Sequence, residues 1–246
     1  SRSALDCAIR MTEFFLAPLT NLYITNSKRA AEILEHSCSV PQNKLVTIYN
    51  GLENLPAPEI LPPIQSRPQH VVTIANMAPR KGHIEFLDII QNVLQSRPDI
   101  KFYFVGRDDS NGAVQQRIDQ LGLTNSVICT GYVENPIPYL SQARLMALPS
   151  LWSEGCPTSI LESFSCQTPV VAYGIDGIPE LISNGVDGFC VTPFSKEQMA
   201  RSILVLLDNQ DLCTSMGKAG RQKIETSFEL RHCALSHDQH LRELYK

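Results

Sequence analysis

With 246 residues, 43% of them hydrophobic, the chain is long enough to bury a full core in one or two domains. A formal net charge of −4 excludes a global attraction to nucleic acid or to an anionic membrane. No apolar run approaches the ~20 residues of a membrane span, and the N-terminus lacks the charged and apolar regions of a signal peptide.

Residues 4–17 are helical in pattern, and Pro18 with Asn21 ends them before a short strand at 22–25. These first residues lie inside a predicted helix and do not resemble a natural start. Asn26-Ser27 then caps a helix from Lys28 to about His36, and Pro41, a strand at 44–49 and Asn50-Gly51 follow. Residues 56–68, PAPEILPPIQSRP, hold five prolines and read as an extended linker of low helix content, so a domain boundary belongs here.

From His70 the pattern is regular: strand 70–75, helix 83–96, strand 101–105, helix 112–121, strand 126–130, helix 136–142, strand 144–148, helix 157–166 and strand 169–172. Strand 188–191, helices 195–208 and 211–225 and a long final helix from Phe228 to Tyr245 complete the chain. The alternation predicts an α/β fold, a Rossmann-like parallel sheet with helices on both faces and ligands bound beyond the strand C-termini.

Chemistry is concentrated in the loops at those ends. After the first strand come Arg80, Lys81 and Gly82; two adjacent cations there can neutralise a phosphate, or can be a solvated turn. Gly106 opens the next loop, and Gly131-Tyr132-Val133 follow the third strand. Residues 148–172, LPSLWSEGCPTSILESFSCQTPVVA, read as strand, loop, helix and strand. Pro157 suits the first helical turn, and Ile160, Leu161 and Phe164 recur at helical spacing.

The loop therefore ends at a helix N-terminus, where Gly155, Cys156, Thr158 and Ser159 surround a natural site for an anion such as a diphosphate. Gly155 lets a ligand approach the backbone. Glu154 and Glu162 bracket this site, and a carboxylate beside a phosphate site accepts hydrogen bonds from hydroxyls, which fits a sugar nucleotide. The competing reading is that these acids cap or solvate a helix.

The run E-G-C-P-T-S-I-L-E, followed by S-F-S-C-Q-T-P-V-V-A, resembles the E-x7-E segment of retaining GT-B glycosyltransferases of family four, the glycosyl transferases group 1. The resemblance continues through Gly174-Ile175-Asp176-Gly177-Ile178-Pro179-Glu180 to Gly188, covering residues 70–246 well and 20–52 more weakly. It implies four parts: residues 1–55 as the tail of an acceptor-side N-terminal domain, 56–69 as the linker, 70–226 as a nucleotide-sugar-binding domain, and 227–246 as a helix crossing back.

Carried over by resemblance, Lys81, Arg80 and Glu154 are the catalytic candidates. Gly106, Gly131, Tyr132, Val133, Glu154, Gly155, Cys156, Pro157, Thr158, Ser159, Leu161 and Glu162 form the sugar-nucleotide site, with Glu162 on the ribose and Glu154 on the transferred sugar. Lys81 matches the family lysine, but Asn76 stands where the family has an arginine, so either Arg80 supplies that charge or activity is altered.

The implied reaction moves a hexosyl unit from a UDP- or GDP-sugar to a glycan or lipid-linked acceptor with retention and without a metal or other cofactor. A cytoplasmic protein, associating with the membrane periphery through the N-terminal domain, is the implied setting. The family's catalytic histidine lies on that domain, most of which this chain lacks, so the expectation is binding of the sugar nucleotide without turnover. A sugar-nucleotide-binding module without transfer activity is the alternative, and an epimerase or phosphorylase of similar architecture also stays open.

The eight cysteines form no C-x-x-C pair and read as reduced thiols; Cys156, near the helix N-terminus, is the one placed to form a thiolate. His232, His237 and His240 share a region, but no acidic or cysteine ligand completes a metal set.

Overall fold

The computed structural model describes residues 11–53 and 55–244. The start of the helix expected at 4–17, Cys7, and the end of the last helix at Tyr245 lie outside them. Residues 11–16 are helical. Strands β1 (Tyr23–Thr25) and β2 (Leu45–Thr47) pair in parallel, joined through helix α1 (Lys28–Cys38). The hydroxyl of Ser27 caps α1, accepting from the N–H of Ala30 at 3.1 Å. The helix runs past His36 because Cys38 is buried in a small cluster with Ala17 and Val40, and Ser39 in the left-handed region (φ 55°) then stops it.

The main body is a six-stranded sheet in the order β5-β4-β3-β6-β7-β8. Its strands are β3 (His70–Ile74), β4 (Lys101–Val105), β5 (Val127–Gly131), β6 (Leu145–Leu148), β7 (Val170–Tyr173) and β8 (Gly188–Val191). Every pairing is parallel. The central strands β6 and β7 are buried at every residue, which is why LMAL and VVAY are continuous apolar runs rather than alternating ones.

The connecting helices are α2 (His83–Ser96), α3 (Ala113–Gln120), α4 (Ile137–Gln142), α5 (Thr158–Ser165) and α6 (Ile178–Leu181). Then follow α7 (Lys196–Asp208), α8 (Gln210–Ser227) and α9 (Leu230–Leu244). Helix α2 packs against α3 and α7, and α5 against α4 and α8. The approach of α8 to α5 is so close that a Cβ on Gly220 would lie 2.5 Å from the Phe164 ring. Among the described residues no helix is long and apolar enough to cross a membrane.

The strand order places the site. The chain lays down β3, moves outward to β4 and β5, and returns to put β6 on the other flank of β3. The connections from β3 and β6 therefore lead toward opposite edges of the sheet, to β4 and to β7, and leave a crevice at the switch point, where open α/β sheets bind their ligands.

The proline-rich stretch is less extended than its composition suggests. It contains 3-10 turns at Pro58–Ile60 and Ile64–Ser66, and Ile64 is buried in the main core. Arg67, only 3% exposed, ties the segment down. Its guanidinium donates to the carbonyls of Pro62 (3.0 Å), Ala143 (3.1 Å) and Cys166 (2.9 Å) and to the Thr168 hydroxyl (2.7 Å). Burial pushes its pKa down to about 10, still far above neutrality, so the charge is held by carbonyl dipoles.

Several contacts join the first unit to the sheet. The Glu180 carboxylate of α6 accepts the backbone N–H groups of Lys28 (2.8 Å) and Arg29 (2.9 Å) at the start of α1, and also the Tyr49 hydroxyl (2.7 Å). A carboxylate at the positive end of a helix is stabilising, here across 152 positions of sequence. At the other end of the chain, the N–H of Leu52 donates to Phe228 O and that of Leu230 to Leu52 O, each at 2.8 Å, so α9 starts against residues 51 and 52.

His83, the first residue of α2, is 2% exposed, and neither ring nitrogen has a hydrogen-bond partner. Its ring meets Phe104 edge-on at 4.9 Å. Burial first, and then the Lys81 charge, lower its pKa to about 4. The unfolded chain, with a histidine pKa of about 6.5, takes up the proton first, so this stability is complete above pH ~6.5 and is lost as the pH falls toward ~4. Between pH ~7 and ~5 the loss is about 2 kcal/mol. Thermal melts of the wild type and His83→Leu over that window should show a flatter dependence of Tm on pH in the variant; parallel curves would remove His83 from the account.

Candidate functional site

The loops after β3 and β6 are fastened to each other. The first holds a 3-10 turn, Pro79–Lys81, closed by Gly82 at φ 69°. A Cβ on Gly82 would lie 2.2 Å from the Pro149 carbonyl oxygen, so only glycine allows both the left-handed turn and the contact. Next to it, the N–H of Leu151 donates to the Arg80 carbonyl at 2.8 Å. This zipper brings together side chains 73 positions apart.

Lys81 donates its ammonium to Glu154 Oε1, and the buried Ser150 hydroxyl donates to the same oxygen at 2.5 Å. The side chains of Lys81 and Glu154 are only 13% and 5% exposed. Neither charge can be lost without leaving the other stranded in a dry place, which is expensive. Arg80 is more exposed, with Nη1 4.0 Å from Glu154 Oε1 and donating to the Ser153 carbonyl at 3.3 Å. Two cations thus stand on one buried carboxylate.

The pair forms part of the wall of a cavity of 350 Å³ at the switch point. Asn76, Arg80, Lys81, Gly106, Tyr132, Val133, Glu154, Pro157, Thr158, Ser159 and Glu162 all line it. Most of the residues selected from sequence therefore share one crevice. Glu162, on the second turn of α5, has no hydrogen-bond partner for its carboxylate among the described residues, and burial raises its pKa. Thr158 and Ser159 open α5, whose first N–H groups have no partner within the helix. The crevice thus gathers two cations, the start of a helix and, on that same helix, a carboxylate without a hydrogen-bond partner among the described residues.

Gly106 lines the cavity for a packing reason: a Cβ there would lie 2.3 Å from the Ala75 carbonyl, and its N–H donates to the Gly131 carbonyl at 3.1 Å. Gly131, at φ 73°, is not among the residues that line the cavity, whereas Tyr132, 73% exposed, is. Asn76, at the position of the expected arginine, accepts from the Arg107 N–H at 3.0 Å through its side chain and pins the loop after β4. The cationic charge at the cavity comes from Arg80 and Lys81.

Four further expectations differ in detail. Gly155 is not among the residues that line the cavity, and a Cβ there would lie 2.2 Å from the Asn26 side-chain oxygen, so its smallness serves contact with the first unit. Cys156 is 3% exposed with its pKa pushed up to about 11 by burial, which outweighs the helix end, and its carbonyl accepts from the Asn50 amide at 2.7 Å. Leu161 belongs to the core rather than the wall. Pro157 precedes the first helical residue instead of occupying the first turn.

Ser150, Asn26, Asn50 and Asp176, which also hold this loop, were not readable as site residues. Asn26, Asn50 and Asp176 reach the loop from distant segments, and Ser150 turns back onto Glu154 four residues on, contacts that only the folded chain shows. Among the described residues, no group of three or more His, Cys, Asp or Glu side chains is placed to hold a metal ion.

Residues 62–223 match the family of glycosyl transferases group 1, a span of more than half the chain. The chain belongs to this family. Among its relatives, an exopolysaccharide phosphotransferase of Streptomyces coelicolor is 27% identical over 208 residues, which is 84% of this chain and 22% of that protein. The chain thus spans under a quarter of that relative's length.

Two solved structures share the fold. A glycosyltransferase from Rickettsia africae superposes with a TM-score of 0.85 at 21% identity, over 94% of this chain and 67% of that one. Anabaena HepE in complex with UDP and glucose superposes with a TM-score of 0.78 at 24% identity, over 95% and 67%.

If Lys81 and Glu154 pair as described, their effects on stability are strongly non-additive. A double-mutant cycle of Lys81→Met and Glu154→Gln in urea unfolding should give a coupling of about 1–3 kcal/mol, with Glu154→Gln alone clearly destabilising. Additivity within about 0.3 kcal/mol would mean that the two side chains do not meet in solution.

Proposed function

We propose that the cavity at the switch point binds a sugar nucleotide and serves the transfer of a hexosyl unit to an acceptor hydroxyl, with retention at the anomeric carbon. The observation that carries this reading is the convergence of Lys81, Arg80, the start of α5 and the free Glu162 carboxylate on one cavity of 350 Å³. Cations and helix N–H groups suit a diphosphate, and a carboxylate without a partner suits the ribose hydroxyls.

Breaking the bond between sugar and phosphate builds negative charge on the leaving diphosphate, and donors already aimed at that position lower the barrier directly. Lys81 has three N–H donors, so it can keep Glu154 and still reach a phosphate oxygen. Glu154 then acts as an acceptor for hydroxyls of the transferred sugar, fixed in place by Lys81 and Ser150 rather than free to swing. Neither carboxylate needs to move a proton in this scheme.

UDP is the first candidate for the nucleotide, because HepE holds UDP and glucose in a similar fold. A glycan or lipid-linked acceptor in polysaccharide assembly is the reading that agrees with the exopolysaccharide relative. Asn76 in place of an arginine favours a second reading, binding without transfer, which differs in releasing no UDP from a UDP-sugar when acceptors are supplied.

A thermal-shift screen with UDP-, GDP- and ADP-sugars tests the binding reading, since a ligand held only by the folded state raises Tm. At about 100 times its Kd the preferred compound should stabilise the chain by about 2.7 kcal/mol, a shift of about 5 °C or more. Glu162→Ala should abolish most of that shift. No shift with any of the three classes would overturn the reading.

A further inference from the structure

We infer that Asp176 is a positioning residue for Glu154: by holding the backbone of Ser153 and Glu154 it fixes where the Glu154 carboxylate enters the cavity. Asp176 Oδ2 accepts the N–H of Ser153 at 2.6 Å and that of Glu154 at 3.1 Å. The next residue completes the clamp, because the Gly177 N–H donates to the Glu154 carbonyl at 2.8 Å. Both polar groups of the Glu154 backbone are thus taken up by one dipeptide in the loop after β7.

The geometry leaves little freedom on either side. Ser153 and Asp176 both adopt left-handed backbone, at φ 64° and 45°, a conformation that needs surrounding structure to hold it. A Cβ on Gly177 would lie 2.0 Å from the Gly155 carbonyl oxygen and 2.8 Å from the Ser27 Cβ. Only a glycine lets the two loops close this far. Residues 149–157 have no regular secondary structure of their own, so side-chain and loop contacts set the direction in which Glu154 points.

Asp176 is not on the wall of the cavity, which Glu154 and Lys81 line. Its effect on a ligand therefore passes through Glu154. The inference rests on the reading that Glu154 faces the hydroxyls of the transferred sugar. It adds that a third carboxylate, without touching that sugar, decides how well the sugar is held.

The test uses Asp176→Ala and Asp176→Asn in the full chain, with two readouts. The first needs no ligand: amide hydrogen exchange at Ser153 and Glu154, followed by NMR, should be at least about ten-fold faster in Asp176→Ala, with Asp176→Asn between it and the wild type, since a neutral amide oxygen accepts more weakly. The second is calorimetric affinity for UDP and for UDP-glucose. Asp176→Ala should keep UDP within about two-fold and weaken UDP-glucose about ten-fold, a difference of about 1.4 kcal/mol.

Unchanged exchange in Asp176→Ala, or equal weakening of UDP and UDP-glucose, would overturn the inference; equal weakening would mean that Asp176 only keeps the loop folded. Should Asp176→Ala fail to fold, Asp176→Asn carries the same comparison, with UDP-glucose weakened more than UDP or the inference lost. A wild type that binds neither UDP nor UDP-glucose overturns the functional reading instead, while the exchange measurement still decides whether Asp176 holds Glu154.

Discussion

A lysine from the loop after β3 and a glutamate from the loop after β6 meet in a nearly dry crevice, and the site exists only where they meet. Their attraction cannot by itself bring two irregular loops together, because burying both charges costs about as much as the pairing returns. The backbone does that work: Gly82 against Pro149, and the Leu151 N–H on the Arg80 carbonyl, close the loops before the side chains are counted. The ion pair then fixes two rotamers, and Ser150 fixes the carboxylate oxygen between them.

The loop that carries Glu154 is gripped from three directions. Asp176 and Gly177 hold it from the loop after β7, and Arg80 holds the Ser153 carbonyl from the loop after β3. From the first unit, Asn26 packs against Gly155, and Asn50 donates to the Cys156 carbonyl. The first unit is itself anchored to the sheet by Glu180 at the start of α1. The crevice is thus tied physically to the packing of residues 23–50 on the sheet.

Much of this was legible in the sequence because it depends on local rules. Alternating apolar strands and amphipathic helices fix the sheet, and Lys81 and Glu154 fall in loops beyond strand ends, with Thr158 and Glu162 on the first two turns of the helix that follows, where an α/β sheet binds ligands. The remainder depends on contacts between distant segments. Arg67 reads as the end of a linker, but its hydrogen bonds reach residues 143, 166 and 168. Gly155 reads as ligand clearance, yet the atom it makes room for belongs to Asn26. Cys156 shows the same limit in energetic form: position along a helix suggests a thiolate, whereas burial, invisible in the spacing, keeps the thiol neutral.

In the proposed reading, Lys81 at the switch point meets the second phosphate of a nucleoside diphosphate. Calorimetric affinities of the full chain and of Lys81→Met for UDP and for UMP test it most directly, because the two nucleotides differ by that phosphate alone. The account predicts that the wild type binds UDP at least about ten-fold more tightly than UMP, about 1.4 kcal/mol, and that the preference disappears in Lys81→Met. Equal binding of UDP and UMP by the wild type, or an undiminished preference in the variant, would contradict it.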